Sequence, residues 1–395
     1  MYYPKRRLFG EYLYICAIMS IQRAFLSQVK NWLFKGKTLV ITGPRQVGKT
    51  TLIKTLLGEA SEFLFLDGDD SEIREMLSRN NTQEIARIIG NHKIVFIDEA
   101  QRINQIGLTA KIIHDQFKQV QLIMSGSSAL DLNNAINEPL TGRKIEFTLF
   151  PISWKELSNH YGYLQAKQDI NNRLIFGMYP DIITHKGEEK LFLKNLTESY
   201  LYKDILALTN IQKPDILEKL LQALAYQVGS EVSYTELATL LGISKETVSS
   251  YIQLLEKAFV IFRVNAFSRN LRSEIKTNKK IYFYDNGIRN AIIKAYNPIE
   301  LRPDKGALWE NFLIAERIKH LNYQLHYPNY FFWRTKDQQE VDWVEEENLK
   351  LSAFEFKWKD AGKFKFPKKF VEAYQPNTKV IDIDNFSEFI LDDIS

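Results

Sequence analysis

Residues 43–50 restrict the possible fold more than any other part of the sequence, because they match a phosphate-binding loop. They read Gly-Pro-Arg-Gln-Val-Gly-Lys-Thr and fit the pattern G-x-x-x-x-G-K-[ST] at every fixed position. The preceding residues, 38–42, are apolar and β-branched, which is typical of a buried parallel strand, and residues 51–57 have helical spacing. A strand, a glycine-containing loop and a helix in this order direct backbone N–H groups and a helix N-terminus at phosphate oxygens.

The loop is therefore predicted to bind ATP together with Mg²⁺. We expect the ammonium group of Lys49 to reach the β and γ phosphates and to take part in catalysis, and the hydroxyl of Thr50 to hold Mg²⁺. The other residues expected to contact the nucleotide are Gly43, Pro44, Arg45, Gln46, Val47, Gly48, Thr51 and Ser127.

A second apolar run, residues 93–97, ends in two carboxylates. They are Asp98 and Glu99, about 50 residues after the loop, where a Walker B strand would lie. Asp98 is expected to bind Mg²⁺ through water, and Glu99 to polarise the attacking water. A third run, residues 121–126, leads to Ser127, which either senses the γ phosphate or belongs to an ordinary serine-rich turn.

Strand-like runs alternate with helical stretches around these motifs, so we predict an α/β fold whose parallel sheet has helices on both faces. The single cysteine, Cys16, excludes a disulfide framework and a Cys-rich zinc site. The sequence contains no run of about 18 apolar residues that could span a membrane. We therefore expect a cytoplasmic protein without a membrane partner. The net charge of +4 is small, and any contact with nucleic acid must therefore be local.

Three segments, residues 42–50, 96–101 and 140–143, together resemble one family. They are similar to prokaryotic AAA-type P-loop ATPases that carry a C-terminal winged helix and a PD-(D/E)-x-K nuclease-like region. The resemblance implies a P-loop NTPase core, then a winged helix, then a small mixed α/β restriction-endonuclease-like domain. It also implies that Arg143 meets the γ phosphate, either in its own chain or, through self-association, at a neighbouring nucleotide site. An ordinary surface or structural role for Arg143 stays open.

The chain is predicted to divide into five parts. The first, residues 1–18, is expected to be a dispensable extension, because Met19 opens a segment that looks like a natural start. The others are the ATPase core (19–165), a helical lid or linker (166–213), a winged helix (214–280) and the nuclease-like domain (281–395).

Residues 215–264 carry the pattern of a helix-turn-helix followed by a strand. Ser233 and Glu236 have the spacing of a capping box, Gly242 marks a turn, and Ser244 precedes another helix. We predict DNA as a partner of this unit, with contact to the phosphate backbone; a lid or protein-docking role is the alternative. The residues expected at DNA are Lys245, Glu246, Thr247, Ser249 and Ser250 on the second helix, and the basic cluster Arg269, Arg272, Lys276, Lys279 and Lys280.

A second chemical site is predicted near the C-terminus. Glu355 and Lys357 share one face of a strand, Asp342 lies across the predicted hairpin, and Glu310 lies on an upstream helix. The resemblance to PD-(D/E)-x-K nucleases implies that Asp342 and Glu355 hold Mg²⁺ and that Lys357 orients or activates water. Many such domains keep the fold without the activity, so a silent scaffold is the alternative.

These observations predict a Mg²⁺-dependent ATPase whose ATP binding and hydrolysis are coupled to DNA binding or processing. The competing hypothesis is a nucleotide-dependent switch that acts on a protein partner.

Overall fold

A computed structural model describes residues 21–58, 63–127, 136–198, 214–268, 279–359 and 364–391. The predicted N-terminal extension, residues 1–18, lies outside the described residues. So do three members of the predicted basic cluster, Arg269, Arg272 and Lys276.

The N-terminal part is built on a parallel sheet that has five strands within the described ranges, in the order β2-β3-β4-β1-β5. The predicted α/β fold with a parallel sheet is thus confirmed. The strands are β1 (Thr38–Thr42), β2 (Phe63–Asp67), β3 (Ile94–Asp98), β4 (Gln121–Gly126) and β5 (Lys144–Thr148).

The alternation of side chains along β1 explains why helices cover both faces of this sheet. Leu39 and Ile41 point into one apolar core, and Val40 between them points into another. All three are fully buried, as expected for a central parallel strand. The helices of this part are α1 (Leu26–Asn31), α2 (Lys49–Leu57), α3 (Ser71–Ser78), α4 (Thr82–Ile89) and α5 (Ile106–Gln116).

A group of short helices follows β5. The first of them starts with a complete capping box, in which Ser153 and Glu156 satisfy each other's backbone N–H groups. The predicted border between residues 165 and 166 falls inside the second. The helices are α6 (Trp154–Tyr161), α7 (Tyr163–Gln168), α8 (Ile170–Phe176), α9 (Pro180–Thr184) and α10 (Glu189–Leu196).

The described residues of the ranges 214–268 and 279–283 form a helix, a short strand, two helices and two paired strands. Ser233 and Ser244 both cap helices by accepting a backbone N–H bond, and Gly242 ends the first of these helices in the left-handed conformation. The elements are α11 (Pro214–Tyr226), β6 (Glu231–Val232), α12 (Tyr234–Leu241), α13 (Lys245–Lys257), β7 (Ile261–Ala266) and β8 (Lys279–Phe283).

The C-terminal strands join the sheet formed by β6, β7 and β8 instead of forming a separate sheet. Within the described residues this second sheet has seven strands, in the order β12-β11-β10-β9-β7-β8-β6. The predicted border between residues 280 and 281 therefore lies inside β8. The remaining strands are β9 (Asn329–Arg334), β10 (Glu340–Glu347), β11 (Lys350–Phe356) and β12 (Asn377–Ile381).

The helices of the C-terminal part are dominated by α15, which has 19 residues and is buried along most of its length. No helix in the described ranges is both long and apolar enough to cross a membrane. The helices are α14 (Asn286–Ile292), α15 (Lys305–Tyr323), α16 (Lys368–Tyr374) and α17 (Phe386–Leu391).

Candidate functional site

The predicted phosphate-binding loop joins the end of β1 to the start of α2. Gly48, with φ of +90°, precedes the first residue of α2, so the free N–H groups of that helix open onto the loop. Gly43 has φ of +145°, and a Cβ atom at this position would clash with the carbonyl oxygen of Leu149. The loop therefore needs glycine at both positions, for backbone conformation at Gly48 and also for space at Gly43.

Lys49 lies inside the loop with its side chain buried. Its Nζ donates to the carbonyls of Gly43 at 3.0 Å and Pro44 at 2.9 Å. Burial lowers the pKa of Lys49 to about 8, against the opposing effect of the carboxylates of Glu99 and Asp98. The ammonium group is thus held within reach of the loop centre, where phosphate oxygens would replace the two carbonyls as its partners.

Thr50 and Asp98 meet beside the loop. The hydroxyl of Thr50 donates to Oδ2 of Asp98 at 2.5 Å, and the hydroxyl of Ser125 donates to Oδ1. Asp98 ends β3 and Ser125 is in the neighbouring strand β4, so the parallel order of the strands creates this group. Hydroxyl and carboxylate oxygens are the hard ligands that Mg²⁺ prefers.

Glu99 follows Asp98 in a left-handed conformation, with φ of +45°. Its Oε2 accepts a bond from Nε2 of Gln101 at 2.6 Å and one from Oγ of Ser127 at 3.1 Å. Ser127 is therefore positioned to hold the predicted catalytic carboxylate. Gln101 is not among the predicted site residues, although it lies only two positions after Glu99.

A cavity of about 360 Å³ adjoins the loop and was missed by the sequence analysis. It lies between the segment that leads into α1, the first two turns of α2, and the start of α9. Its walls are mainly apolar and include Ile21, Leu26, Val47, Thr51, Leu52 and Pro180. Val47, Thr51 and Leu52 belong to the predicted loop and the helix after it, whereas the other residues form no motif and are brought to them only by the fold.

Arg143 lies at the far end of the sheet from the loop of its own chain. It precedes β5, whose first residue pairs with Thr38, whereas the loop follows the last residue of β1. The length of β1 separates the two ends by roughly 15 Å. Its Nε lies 2.9 Å from Oδ1 of Asp115. Contact between Arg143 and a γ phosphate of the same chain is thus not supported, and contact with a neighbouring subunit stays a prediction.

The four predicted nuclease-like residues lie together. Oδ2 of Asp342 accepts the backbone N–H of Phe356 at 2.9 Å, and Nζ of Lys357 lies 2.6 Å from Oε1 of Glu355. Burial raises the pKa of Asp342 well above its usual value, and the nearby carboxylates of Glu310 and Glu355 raise it further. We call Glu310, Asp342 and Glu355 the acid cluster.

Lys280 enters the acid cluster, contrary to the prediction that it belongs to a basic, DNA-facing surface. Its buried Nζ lies 3.1 Å from Oε1 of Glu310 and 4.0 Å from Oδ1 of Asp342, and it also contacts Glu340. The hydroxyl of Tyr282 donates to Glu310 at 2.6 Å. A lysine buried among three carboxylates is needed there to balance their charge, so it cannot face a phosphate backbone. Across the described part of the chain, no group of three or more His, Cys, Asp or Glu side chains is arranged to hold a metal ion.

The side chains expected at DNA on α13 follow the helical period. Lys245, Glu246 and Ser250 are exposed, and Thr247 and Ser249 are half-buried. Val248 is buried against the body of the protein. The helix therefore has a polar outer face, on which the positive charge of Lys245 is offset by the negative charge of its neighbour Glu246.

Comparison with known proteins supports an AAA-type P-loop ATPase core. Residues 35–158 match the family described as an AAA domain. Residues 167–298 and 305–389 match two domains of unknown function, DUF8612 and DUF4143. A solved Walker-type ATPase of Pyrococcus abyssi superposes with a TM-score of 0.50 at 15% identity, covering 69% of this chain and 96% of that chain. This likeness shows a shared fold.

Sequence relatives extend over most of the chain. An uncharacterised protein of Mycobacterium tuberculosis is 23% identical over 350 residues, which are 87% of this chain and 75% of the relative. An uncharacterised protein of Haemophilus influenzae is 26% identical over an alignment of 281 residues that covers 64% of this chain and 68% of the relative. The mycobacterial relative therefore shares both the N-terminal and the C-terminal parts of the chain.

Proposed function

We propose that this chain is a Mg²⁺-dependent ATPase of the AAA type, acting in the cytoplasm. The observation that carries the proposal is the meeting of Thr50 and Asp98 at the mouth of a loop that also contains Lys49. Two separate parts of the sequence supply these groups, and each group has the chemistry that a nucleoside triphosphate with Mg²⁺ requires.

The oxygens of Thr50 and Asp98 fit Mg²⁺ as ligands, the latter directly or through water. The metal ion would neutralise charge on the phosphates during hydrolysis. Lys49 exchanges the carbonyls of Gly43 and Pro44 for phosphate oxygens. Glu99 orients the attacking water and accepts its proton, because Gln101 and Ser127 hold the carboxylate in place.

The base of the nucleotide would lie in the 360 Å³ cavity beside α2. A flat purine ring suits its mainly apolar walls, as in other pockets that orient a ligand with few polar groups. Val47 belongs to the loop and Thr51 to the helix after it, and both line this cavity. A base in the cavity would therefore lie next to phosphates bound at the loop.

The C-terminal region is proposed to couple ATP turnover to DNA. The order of elements from α11 to β8 supports a winged helix, in which α13 would approach DNA with its polar outer face. The order α15, β9, β10, β11, α16, β12 and the meeting of Glu310, Asp342, Glu355 and Lys357 support a nuclease-like fold, in which Asp342 and Glu355 would hold Mg²⁺.

One observation favours the second candidate function, a nucleotide-dependent switch with a silent nuclease-like scaffold. Lys280 already balances the charge of Glu310 and Asp342, so a metal ion would have to displace it. In this alternative the acid cluster stabilises the junction between β8 and α15, and the partner is a protein. Arg143, in either candidate, would act at a nucleotide site of a neighbouring subunit.

The rate of ATP hydrolysis with and without DNA distinguishes the two functions. The full chain is assayed alone and with single-stranded, duplex or branched DNA at low and high salt. Coupling to DNA predicts a stimulated rate that declines as salt is raised, because phosphate contacts release counterions. A rate that no DNA changes supports the switch. Lys49→Ala is the control, since it should remove hydrolysis under every condition.

Cleavage is tested separately. If the acid cluster is an active nuclease site, Asp342→Ala abolishes Mg²⁺-dependent DNA cleavage and leaves ATP hydrolysis intact. Absence of cleavage by the wild-type chain with every DNA tested contradicts nuclease activity and leaves the ATPase proposal standing.

A further inference from the structure

The side chain of Arg23 is buried between the phosphate-binding loop and the C-terminal helix α15. Its Nη1 donates to the carbonyl of Val47 at 2.6 Å, and its Nη2 donates to the carbonyl of Phe150 at 2.6 Å and to the hydroxyl of Tyr323 at 3.2 Å. Its Nε lies 3.0 Å from Oε1 of Glu156. All three nitrogens of the guanidinium thus donate hydrogen bonds, and their acceptors belong to three different parts of the fold.

The bond to Val47 determines the direction of a phosphate-facing N–H group. The described residues contain no cis peptide bond, and in a trans peptide the C=O and the following N–H point to opposite sides. The carbonyl of Val47 points toward Arg23, from which it accepts a hydrogen bond. The N–H of Gly48, in the same peptide group, therefore points away from Arg23. Gly48 lies immediately before α2, where free N–H groups bind anions.

The other end of the guanidinium contacts the last residue of α15. The hydroxyl of Tyr323 accepts from Arg23 and also from the backbone N–H of Phe150, at 3.1 Å. The ring of Tyr323 stacks on Phe25 with ring centroids 5.2 Å apart. Since α15 also carries Glu310, roughly 20 Å closer to its N-terminus, one rigid helix connects Arg23 with the acid cluster.

A second set of contacts fastens α15 to the residues that follow β5. Oε2 of Glu316 accepts the backbone N–H of Trp154 at 2.6 Å, and Nζ of Lys319 donates to the carbonyl of Ile152 at 3.2 Å. Glu316 and Lys319 also form an ion pair with each other, and both are buried. Besides apolar packing, the interface between α15 and the ATPase core therefore includes directional bonds, which depend on the relative placement of both parts.

We propose that Arg23 is a positioning residue of the nucleotide site and that, through Tyr323, it links the state of the loop to the docking of α15. The inference rests on the proposed binding of ATP at this loop. Nucleotide that favours the arrangement of the loop held by Arg23 also favours the docking of α15. By thermodynamic reciprocity, a docked α15 increases the affinity for nucleotide by the same factor.

Arginine is required for this role because of its geometry. A guanidinium offers five donors in a rigid plane, whereas the ammonium of lysine is a compact charge on a flexible stem. Arg23→Lys keeps a positive charge beside Glu156, but an ammonium group has only three donors for the four acceptors that Arg23 serves. This substitution therefore separates charge balance from positioning.

Binding of ADP with Mg²⁺ to the full chain is measured by calorimetry for the wild type and two variants. Arg263→Lys is the matched control, because Arg263 is in β7 of the second sheet and contacts Glu256 of α13 and the hydroxyl of Tyr234 of α12, away from the loop. We expect Arg23→Lys to bind about tenfold or more weakly, as for the loss of charged hydrogen bonds, and Arg263→Lys to bind like the wild type.

Binding of Arg23→Lys within twofold of the wild type overturns the positioning role. A wild-type chain that binds no nucleotide overturns the proposed function and this inference with it, so the two failures are distinguishable. If Arg23→Lys does not fold, binding of ADP to Tyr323→Phe tests the link to α15, because this variant leaves the ion pair of Arg23 with Glu156 intact. Weaker binding than by the wild type supports the link, and binding within twofold of the wild type overturns it.

The link to α15 is tested by amide hydrogen exchange at nucleotide concentrations that saturate each protein. We expect bound ADP to slow exchange in residues 312–323 of the wild type, and this slowing to be lost in Tyr323→Phe. Slowing that persists in Tyr323→Phe, or that is missing from the wild type, contradicts the link.

Discussion

The hydroxyl of Thr50 donates to Oδ2 of Asp98 at 2.5 Å, although the two residues are 48 positions apart in the chain. The other oxygen of Asp98 accepts from Ser125, so the carboxylate is held from two sides. The protein alone therefore brings together the hydroxyl and carboxylate oxygens that the proposed Mg²⁺ would use. Catalysis by such a site rests on positioning and on charge compensation.

The affinity for ATP should fall as the pH rises above the pKa of Lys49. Burial lowers this pKa to about 8 in the free protein, whereas bound phosphates favour the charged ammonium and raise it. Above this pH, binding must therefore take up a proton. We expect a loss of about tenfold in affinity for each further pH unit, measured by calorimetry in buffers of different ionisation enthalpy.

The matched control for this titration is Lys49→Arg. A guanidinium stays charged throughout this pH range, so its residual affinity for ATP should not depend on pH. An equal pH dependence in the two proteins would show that another group is responsible.

Glu99→Gln should bind ATP but hydrolyse it slowly. The amide cannot accept a proton from water, while Gln101 and Ser127 can still hold the side chain in place. We expect hydrolysis to slow by about 10²–10⁴-fold with little change in affinity, measured in single-turnover reactions. Glu72→Gln, at an exposed position of α3, should turn over like the wild type. Full activity of Glu99→Gln would remove this residue from the mechanism.

Gly43→Ala should disrupt the loop, because its methyl group would clash with the carbonyl of Leu149 and its φ is +145°. We expect a loss of about 2–4 kcal/mol in the free energy of unfolding, together with loss of nucleotide binding. Gly242→Ala is the control, since Gly242 is left-handed but has open space around its Cα, and it should cost only about 1–2 kcal/mol. If urea unfolding shows that both variants lose the same free energy of unfolding, the clash at Gly43 is ruled out.

Lys280→Met should destabilise the protein strongly. The substitution leaves Glu310, Glu340 and Asp342 without the cation that balances them, and breaking such a buried pair costs about 3–5 kcal/mol. The neighbour Lys279 forms the control, because Lys279→Met at a half-buried position should change the free energy of unfolding by about 0.5 kcal/mol. Urea unfolding of both variants measures the difference, and a Lys280→Met protein as stable as the wild type would contradict the charge balance.

The loop around Lys49 and the strand before Asp98 could be predicted because short sequence patterns specify both of them. The place of Arg143 could also have been foreseen, since a residue that precedes a parallel strand lies at the opposite end from one that follows its neighbour. Lys280 could not, because its role depends on the packing of β8 against α15 and β10. From the sequence alone, a basic residue close to other basic residues is expected at the protein surface. The partners of Lys280 are instead carboxylates that are distant in the chain.

The same limit applies to larger features. The cavity beside Thr51 is made by three separated segments that share no motif. The continuity of the second sheet depends on the parallel pairing of β7 with β9, which are more than 60 residues apart. Such long-range pairing leaves no periodic signal in either strand. Arg23, likewise, is a single residue in the segment before α1, and its role appears only when the fold surrounds it.

Titration of ATP with Mg²⁺ into the folded full chain, followed by calorimetry, tests the central claim most directly. The account predicts one binding event per chain for the wild type and none for Lys49→Ala, with both proteins giving the same unfolding curve. A wild-type chain that gives no heat at any nucleotide concentration, or a Lys49→Ala chain that binds equally well, would contradict it.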